Sequence, residues 1–249
     1  MSNNSNSEQT NNDDLLQGLE QTASKQRKNF WYWLRFTFKT FLYAHLIFIA
    51  LIALLSIIYI NTNPPVTLLM LYREGFQAKT PSFIPLHSTS KTFQLDLINL
   101  EDGNFRKHYG IDIEAIKRAR AINQELGRTA QGGSTITQQL ARTLFLIPKR
   151  TYLRKYLELI VTFELELILG KDRILELYIN YAELGEGIYG FNDASLKYYN
   201  RPFSKTSTDQ KIRIMTILAS PLKYTPQTLH ENKALARRYK FIYRWHKYH

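Results

Sequence analysis

One stretch limits what this chain can fold into more than any other. Phe41 to Ile60 is apolar for twenty residues, broken only by His45 and Ser56. Twenty helical residues rise roughly 30 Å, the thickness of a bilayer's hydrocarbon core. Lys25, Arg27, Lys28, Arg35 and Lys39 precede the run, and no Lys or Arg follows it until Arg73. That asymmetry orients the N-terminus to the cytoplasm and everything after the span to the outside. Trp31, Tyr32 and Trp33 fit the interfacial aromatic belt. A cleaved signal peptide would be shorter and would need small residues before the cut, where this chain has Ile57-Ile58-Tyr59-Ile60. The expectation is a single-pass anchor in the cytoplasmic (inner) membrane. Residues 1–40 form a basic tail before it, disordered over 1–24, where Asn, Ser, Gln and Thr leave little to bury.

Beyond the span, 249 residues leave room for one medium domain with a substantial core. The net charge of +12 suits an anionic membrane surface, a phosphorylated substrate or nucleic acid. An external domain behind a bilayer anchor meets no genome, so nucleic acid drops out as a partner. The absence of cysteine removes disulfides, thiol catalysis and cysteine-based metal sites.

The domain reads as mainly α-helical. Residues 61–92 carry prolines without strong periodicity and read as a membrane-proximal linker, where Leu68 to Tyr72 is either core or lipid-facing. From 93 to 225 the pattern is helical. Asp112 caps a helix to about Leu126, closed by Gly127. Thr135 with Gln138 three residues on makes a capping box. Thr151 to Leu169 forms a long apolar helix ending at Gly170, and Asp172 to about Glu183 another. Residues 226–249 form a basic tail mixing cations with Leu235, Ile242 and Trp245, suited equally to a membrane surface or to a solvated helix face. His246 and His249 belong to a terminus expected to be disordered.

Three segments carry chemistry. Glu101-Asp102-Gly103-Asn104-Phe105-Arg106-Lys107-His108 sets two carboxylates side by side. Neighbours on regular structure point apart, so one can face a cleft while the other is held by hydrogen bonds, and a carboxylate withdrawn from water becomes a better general base near neutrality. Alone, such a pair is more often a solvated turn or a helix cap. Gly132-Gly133-Ser134-Thr135-Ile136-Thr137-Gln138-Gln139 presents hydroxyls and free N–H groups at a helix N-terminus, a natural anion cradle. Plain capping does not call for so many polar residues, and a helix polar on several sides suggests a cleft lining. Lys149 to Glu158, if helical, stacks Arg150, Arg154 and Glu158 at steps of four. The plain alternative is a surface ion ladder worth about 0.3–0.5 kcal/mol per pair. The functional one is a cationic clamp for phosphate, which arginine's planar fork suits.

In this order the segments resemble the peptidoglycan glycosyltransferase family, most closely its monofunctional, membrane-anchored biosynthetic transglycosylases. Glu101, Asp102, Phe105, His108 and Gly110 match one motif, Gly132 or Gly133 through Gln139 a second, and Arg154, Lys155 and Glu158 a third. Lys171 to Asn180 and the glycines Gly185, Gly187 and Gly190 resemble the closing segments. The chain departs from the pattern at Arg142-Thr143, where the family has Lys-Asn, and at Asn192, where it has Glu.

The resemblance implies a lysozyme-like, mainly α fold that polymerises lipid II outside the membrane. Glu101 would deprotonate the acceptor's 4-hydroxyl. That oxygen would attack the donor's anomeric carbon with inversion, releasing undecaprenyl pyrophosphate. Arg142 and Arg150 would stabilise the leaving pyrophosphate. Glu158, with Arg154 or Lys155, would organise that cluster or hold a divalent ion, Mg or Mn, although no cofactor is required. Asp102, Phe105, His108, Gly133, Ser134, Thr135, Gln138, Gln139 and Asn180 would line or shape the substrate cleft. Membrane lipids, undecaprenyl-pyrophosphate-linked glycan and other cell-wall synthesis proteins are the implied partners. The chain ends soon after Tyr243, so no transpeptidase activity is expected. A hydrolytic muramidase would not need the cationic clamp. A catalytically weak scaffold for wall-synthesis partners is the alternative that the departures bring in.

Overall fold

A computed structural model describes residues 4–127, 132–149 and 151–248, with side chains at residue 27 and from 29 onward. It is mainly α, and its contacts divide the chain into two units, Met1–Leu51 and Ile52–His249. The first unit is helix. α1 runs Asn4–Asn61, and its segment Asn29–Asn61 is long and apolar enough to cross a membrane. The polar tail expected to lack structure is therefore helical from Asn4. Extending a helix that the apolar span has already nucleated costs far less than starting one, and residues 4–40 contain no proline.

In the second unit the end of α1 is fastened to the domain. Arg173 donates from Nε to the Tyr59 carbonyl at 2.8 Å and from Nη2 to the Thr62 carbonyl at 2.5 Å, using a cation on the helix's orphan C-terminal acceptors. Tyr59 also stacks on Phe145. The segment expected to be a linker contributes to the core instead. α2 (Leu68–Glu74) is capped by Thr67 and buries Leu69 and Met70, while Leu68, Leu71 and Tyr72 stay exposed. Its Arg73 pairs with Glu183 at 3.0 Å.

Beyond it the chain forms α3 (Lys91–Glu101), α4 (Ile113–Glu125), α5 (Ile136–Phe145), α6 (Tyr152–Ile168) and α7 (Gly170–Tyr181). A two-stranded antiparallel hairpin, β1 (Glu183–Gly185) with β2 (Ile188–Tyr189), then leads to α8 (Gly190–Tyr199) and α9 (Thr208–Ile217). α5 is the central element, packed between α6 and α7 and against α2, and eight of its ten residues are buried. Thr137, Gln138 and Thr143 are thus core groups with internal partners, while Gln139 and Arg142 are the polar residues of α5 that stay partly exposed. Gly190 is required where it stands: its φ is +75°, and a Cβ there would lie 2.4 Å from the Asn180 carbonyl oxygen.

The last segment is a helix rather than a tail. α10 (Lys233–Tyr248) buries Leu235 and Ile242 and lies on α3 and α9. His246, expected to be disordered, pairs through Nδ1 with the buried Asp96 of α3 at 2.6 Å.

One half-buried carboxylate stands out. Both oxygens of Glu164 on α6 are shut off from solvent and have no hydrogen-bond partner in the protein, and burial pushes this carboxyl up to about 7. A carboxyl raised on folding binds more protons folded than unfolded, so its unfavourable contribution grows as pH rises from its ordinary range through 7. Glu164→Gln should therefore melt progressively higher than the unsubstituted protein between pH 5 and pH 8, by thermal unfolding in one detergent. A melting difference that is flat or shrinking with pH would contradict this.

Candidate active site

Glu101 closes α3, and its side chain is 9% exposed. One carboxylate oxygen accepts from Gln139 Nε2 at 2.9 Å; the other is ion-paired with Arg238 of α10. Gln139 in turn accepts from the Tyr178 hydroxyl at 2.9 Å. Burial first, then the Glu101 carboxylate, pushes the Tyr178 hydroxyl well up, so it stays protonated and donates. The chain Tyr178–Gln139–Glu101–Arg238 holds the carboxylate from both sides, while each oxygen keeps acceptor capacity for a hydroxyl brought to it.

Asp102 points the other way, as adjacency predicts, and its company is structural. It takes the backbone N–H of Ile136 at 3.0 Å and both oxygens meet His108 Nε2, at 2.9 and 3.1 Å. Ile136 is the first residue of α5, so the anion cradle expected at this helix start already holds an anion, the protein's own. Thr135 and Gln138 close a capping box there, both buried, and the Thr135 hydroxyl also reaches the Gly110 carbonyl at 2.6 Å. Neither is a cleft lining. Phe105 is wholly buried under the Lys171 ammonium, 4.5 Å from its ring centre. Gly133 is small for packing, since a Cβ would come within 3.0 Å of Ile116 Cα. Asn180 is spent on the backbone of Ile84, accepting its N–H at 2.6 Å and donating to its carbonyl at 2.8 Å. Thr135, Gln138 and Asn180 thus find their partners inside the fold, as buried amides and hydroxyls must, while His108 keeps a buried Nδ1 without a partner in the protein. Ser134 is half-buried beside them.

The cationic group assembles one helical turn along α5. Arg142, 37% exposed, approaches Glu158 of α6 at 3.9 Å. Glu158 is fully buried and ion-paired with Arg154, and with Lys155 at 2.5 Å. Three cations around one carboxylate leave an excess of positive charge there, with Arg142 and Lys155 partly exposed. Both Glu158 oxygens are paired with cations of the protein. Among the described residues no group of three His, Asp or Glu could hold a metal. Arg150 lies outside the described residues.

Arg238 is the site residue that sequence reasoning passed over, counted among the cations of a tail. A signal existed: Leu235, Arg238, Ile242 and His246 recur at steps of three and four, the inward stripe of a helix.

A carboxylate held by Gln139 and Arg238, with Arg142, Arg154 and Lys155 gathered on Glu158, gives this region the charged side chains of an enzyme site. Similarity to known proteins narrows the kind of enzyme. A family model described as transglycosylase matches residues 70–246. A biosynthetic peptidoglycan transglycosylase of Burkholderia pseudomallei is 42% identical over 139 residues, 56% of this chain and 54% of that protein. Proteins of the same name from Caulobacter vibrioides (40% over 188 residues) and a Janthinobacterium species (38% over 194) are matched over 80% and 83% of their lengths, and each covers 75% of this chain. The chain thus spans about half of the first relative and four fifths of the other two. It belongs to the transglycosylase family, with a mainly α, lysozyme-like domain following one apolar helix.

Proposed function

We propose that this protein is a peptidoglycan glycosyltransferase that polymerises lipid II into glycan strands. Glu101 is the general base. It takes the proton of the acceptor's 4-hydroxyl as that oxygen bonds to the donor's anomeric carbon, and the anomeric bond to undecaprenyl pyrophosphate breaks with inversion. Arg142, with Arg154 and Lys155 organised on Glu158, neutralises the charge gathering on the pyrophosphate. Arg238, Gln139 and Tyr178 are positioning residues that aim the base. The observation that carries this reading is the placing of Gln139 and Arg142 one turn apart on α5, which sets the carboxylate and the cations side by side. The name that these relatives share, biosynthetic peptidoglycan transglycosylase, supports the substrate. The Lys and Arg before residue 41 support an N-terminus in the cytoplasm, with the domain on the outer face of the inner membrane, where both substrates share its bilayer at high effective concentration.

The test is polymerisation of purified lipid II by the full chain in detergent, with products resolved by length. Glycan strands are expected; a folded protein that makes none would favour the scaffold alternative. Arg142→Lys should keep activity within about tenfold, because the charge stays while the fork is lost. A loss beyond about a hundredfold would mean that the guanidinium geometry itself is needed.

A further inference from the structure

The outward face of α10 takes no part in the site, yet its composition is one-sided. No Asp or Glu occurs between Lys233 and Tyr248. Arg237, Lys240, Phe241, Arg244, Trp245 and Tyr248 line an open cavity of about 450 Å³, with Phe241 53% and Tyr248 76% exposed. This face cannot roll inward. Arg238–Glu101 and His246–Asp96, eight residues apart, pin the opposite side of the helix to α3, and Leu235 and Ile242 are buried beneath. A helix held for solvation alone has no reason to keep cations and aromatic rings together on its wet side.

We propose that this face docks on anionic phospholipid headgroups. Cations unaccompanied by carboxylates are complementary to lipid phosphates, and rings with polar tips sit at the headgroup level. The same chain carries a helix long and apolar enough to span a bilayer, so a lipid surface is tethered to this domain. The inference concerns membrane contact alone and stands whether or not the reaction is the one proposed.

Trp31, Trp33 and Trp245 are the three tryptophans. Replacing the first two by Phe in the full chain leaves Trp245 as the reporter. In nanodiscs carrying headgroup-proximal doxyl lipid, Trp245 quenching should rise at least twofold when one third of the phosphatidylcholine is replaced by phosphatidylglycerol. Half-molar salt should reverse the rise, since exposed charges are then screened. Combined Arg237→Glu, Lys240→Glu and Arg244→Glu should abolish the increment while lipid II polymerisation in detergent stays within threefold. Quenching that ignores lipid charge and salt, or protection of Trp245 from acrylamide only while glycan is being made, would overturn the proposal. The second outcome would assign the face to the product strand.

Discussion

Glu101→Gln should lower the rate of lipid II polymerisation by about a thousandfold, within the span that a positioned general base contributes. The reasoning is local. Gln keeps the shape of the side chain and one carbonyl acceptor, so a single one of Gln139 and Arg238 can still be satisfied. It has no basic oxygen to receive the acceptor's proton. Stability should fall by about 1–2 kcal/mol, because Arg238 loses its charged partner. Near-ultraviolet circular dichroism should still report a folded protein at assay temperature. A folded Glu101→Gln protein that polymerises within tenfold of the native rate would remove Glu101 as the base.

Asp102→Ala should do the opposite, damaging stability far more than its neighbour does. Its carboxylate is 2% exposed and accepts from the first N–H of α5 and from His108. Truncation strands both donors in the core at about 1–3 kcal/mol each, and removes a negative charge from a helix N-terminus. A loss of about 3–5 kcal/mol corresponds to a melting temperature lower by about 6–20 °C in a chain of this size. Asp102→Asn, which retains an acceptor oxygen, should recover part of it. Unfolding followed by differential scanning calorimetry would decide. An alanine variant melting within 2 °C of the native protein but inactive would place Asp102 in the cleft after all. The pair therefore separates chemistry from architecture at consecutive residues.

Elements whose signals are local were legible. The capping box at Thr135 and Gln138 is present in full, and α4 begins one residue after its predicted cap Asp112. α6 and α7 fall within two residues of the expected limits, since an apolar stripe and a terminal glycine are enough to bound a helix. α2 and the hairpin were not legible. Seven residues and two short strands have no period long enough to read, and both exist because Met70 and Leu184 have a core to enter. α10 was misread because a basic composition hides an inward stripe whose partners, Asp96 and Glu101, lie more than a hundred residues away.

By itself, then, the sequence determined which residue types were available: adjacent carboxylates at Glu101 and Asp102, cations at Arg142, Arg154 and Lys155, and a helix apolar and long enough to cross a bilayer. Only the tertiary structure decided which polar groups were free to act. It spent Asp102, Thr135, Gln138 and Asn180 on the frame, and it brought Arg238 from the far end of the chain to Glu101. The reason is desolvation. A buried polar group must be partnered wherever a partner lies in space, and spacing along the chain does not reveal that neighbour.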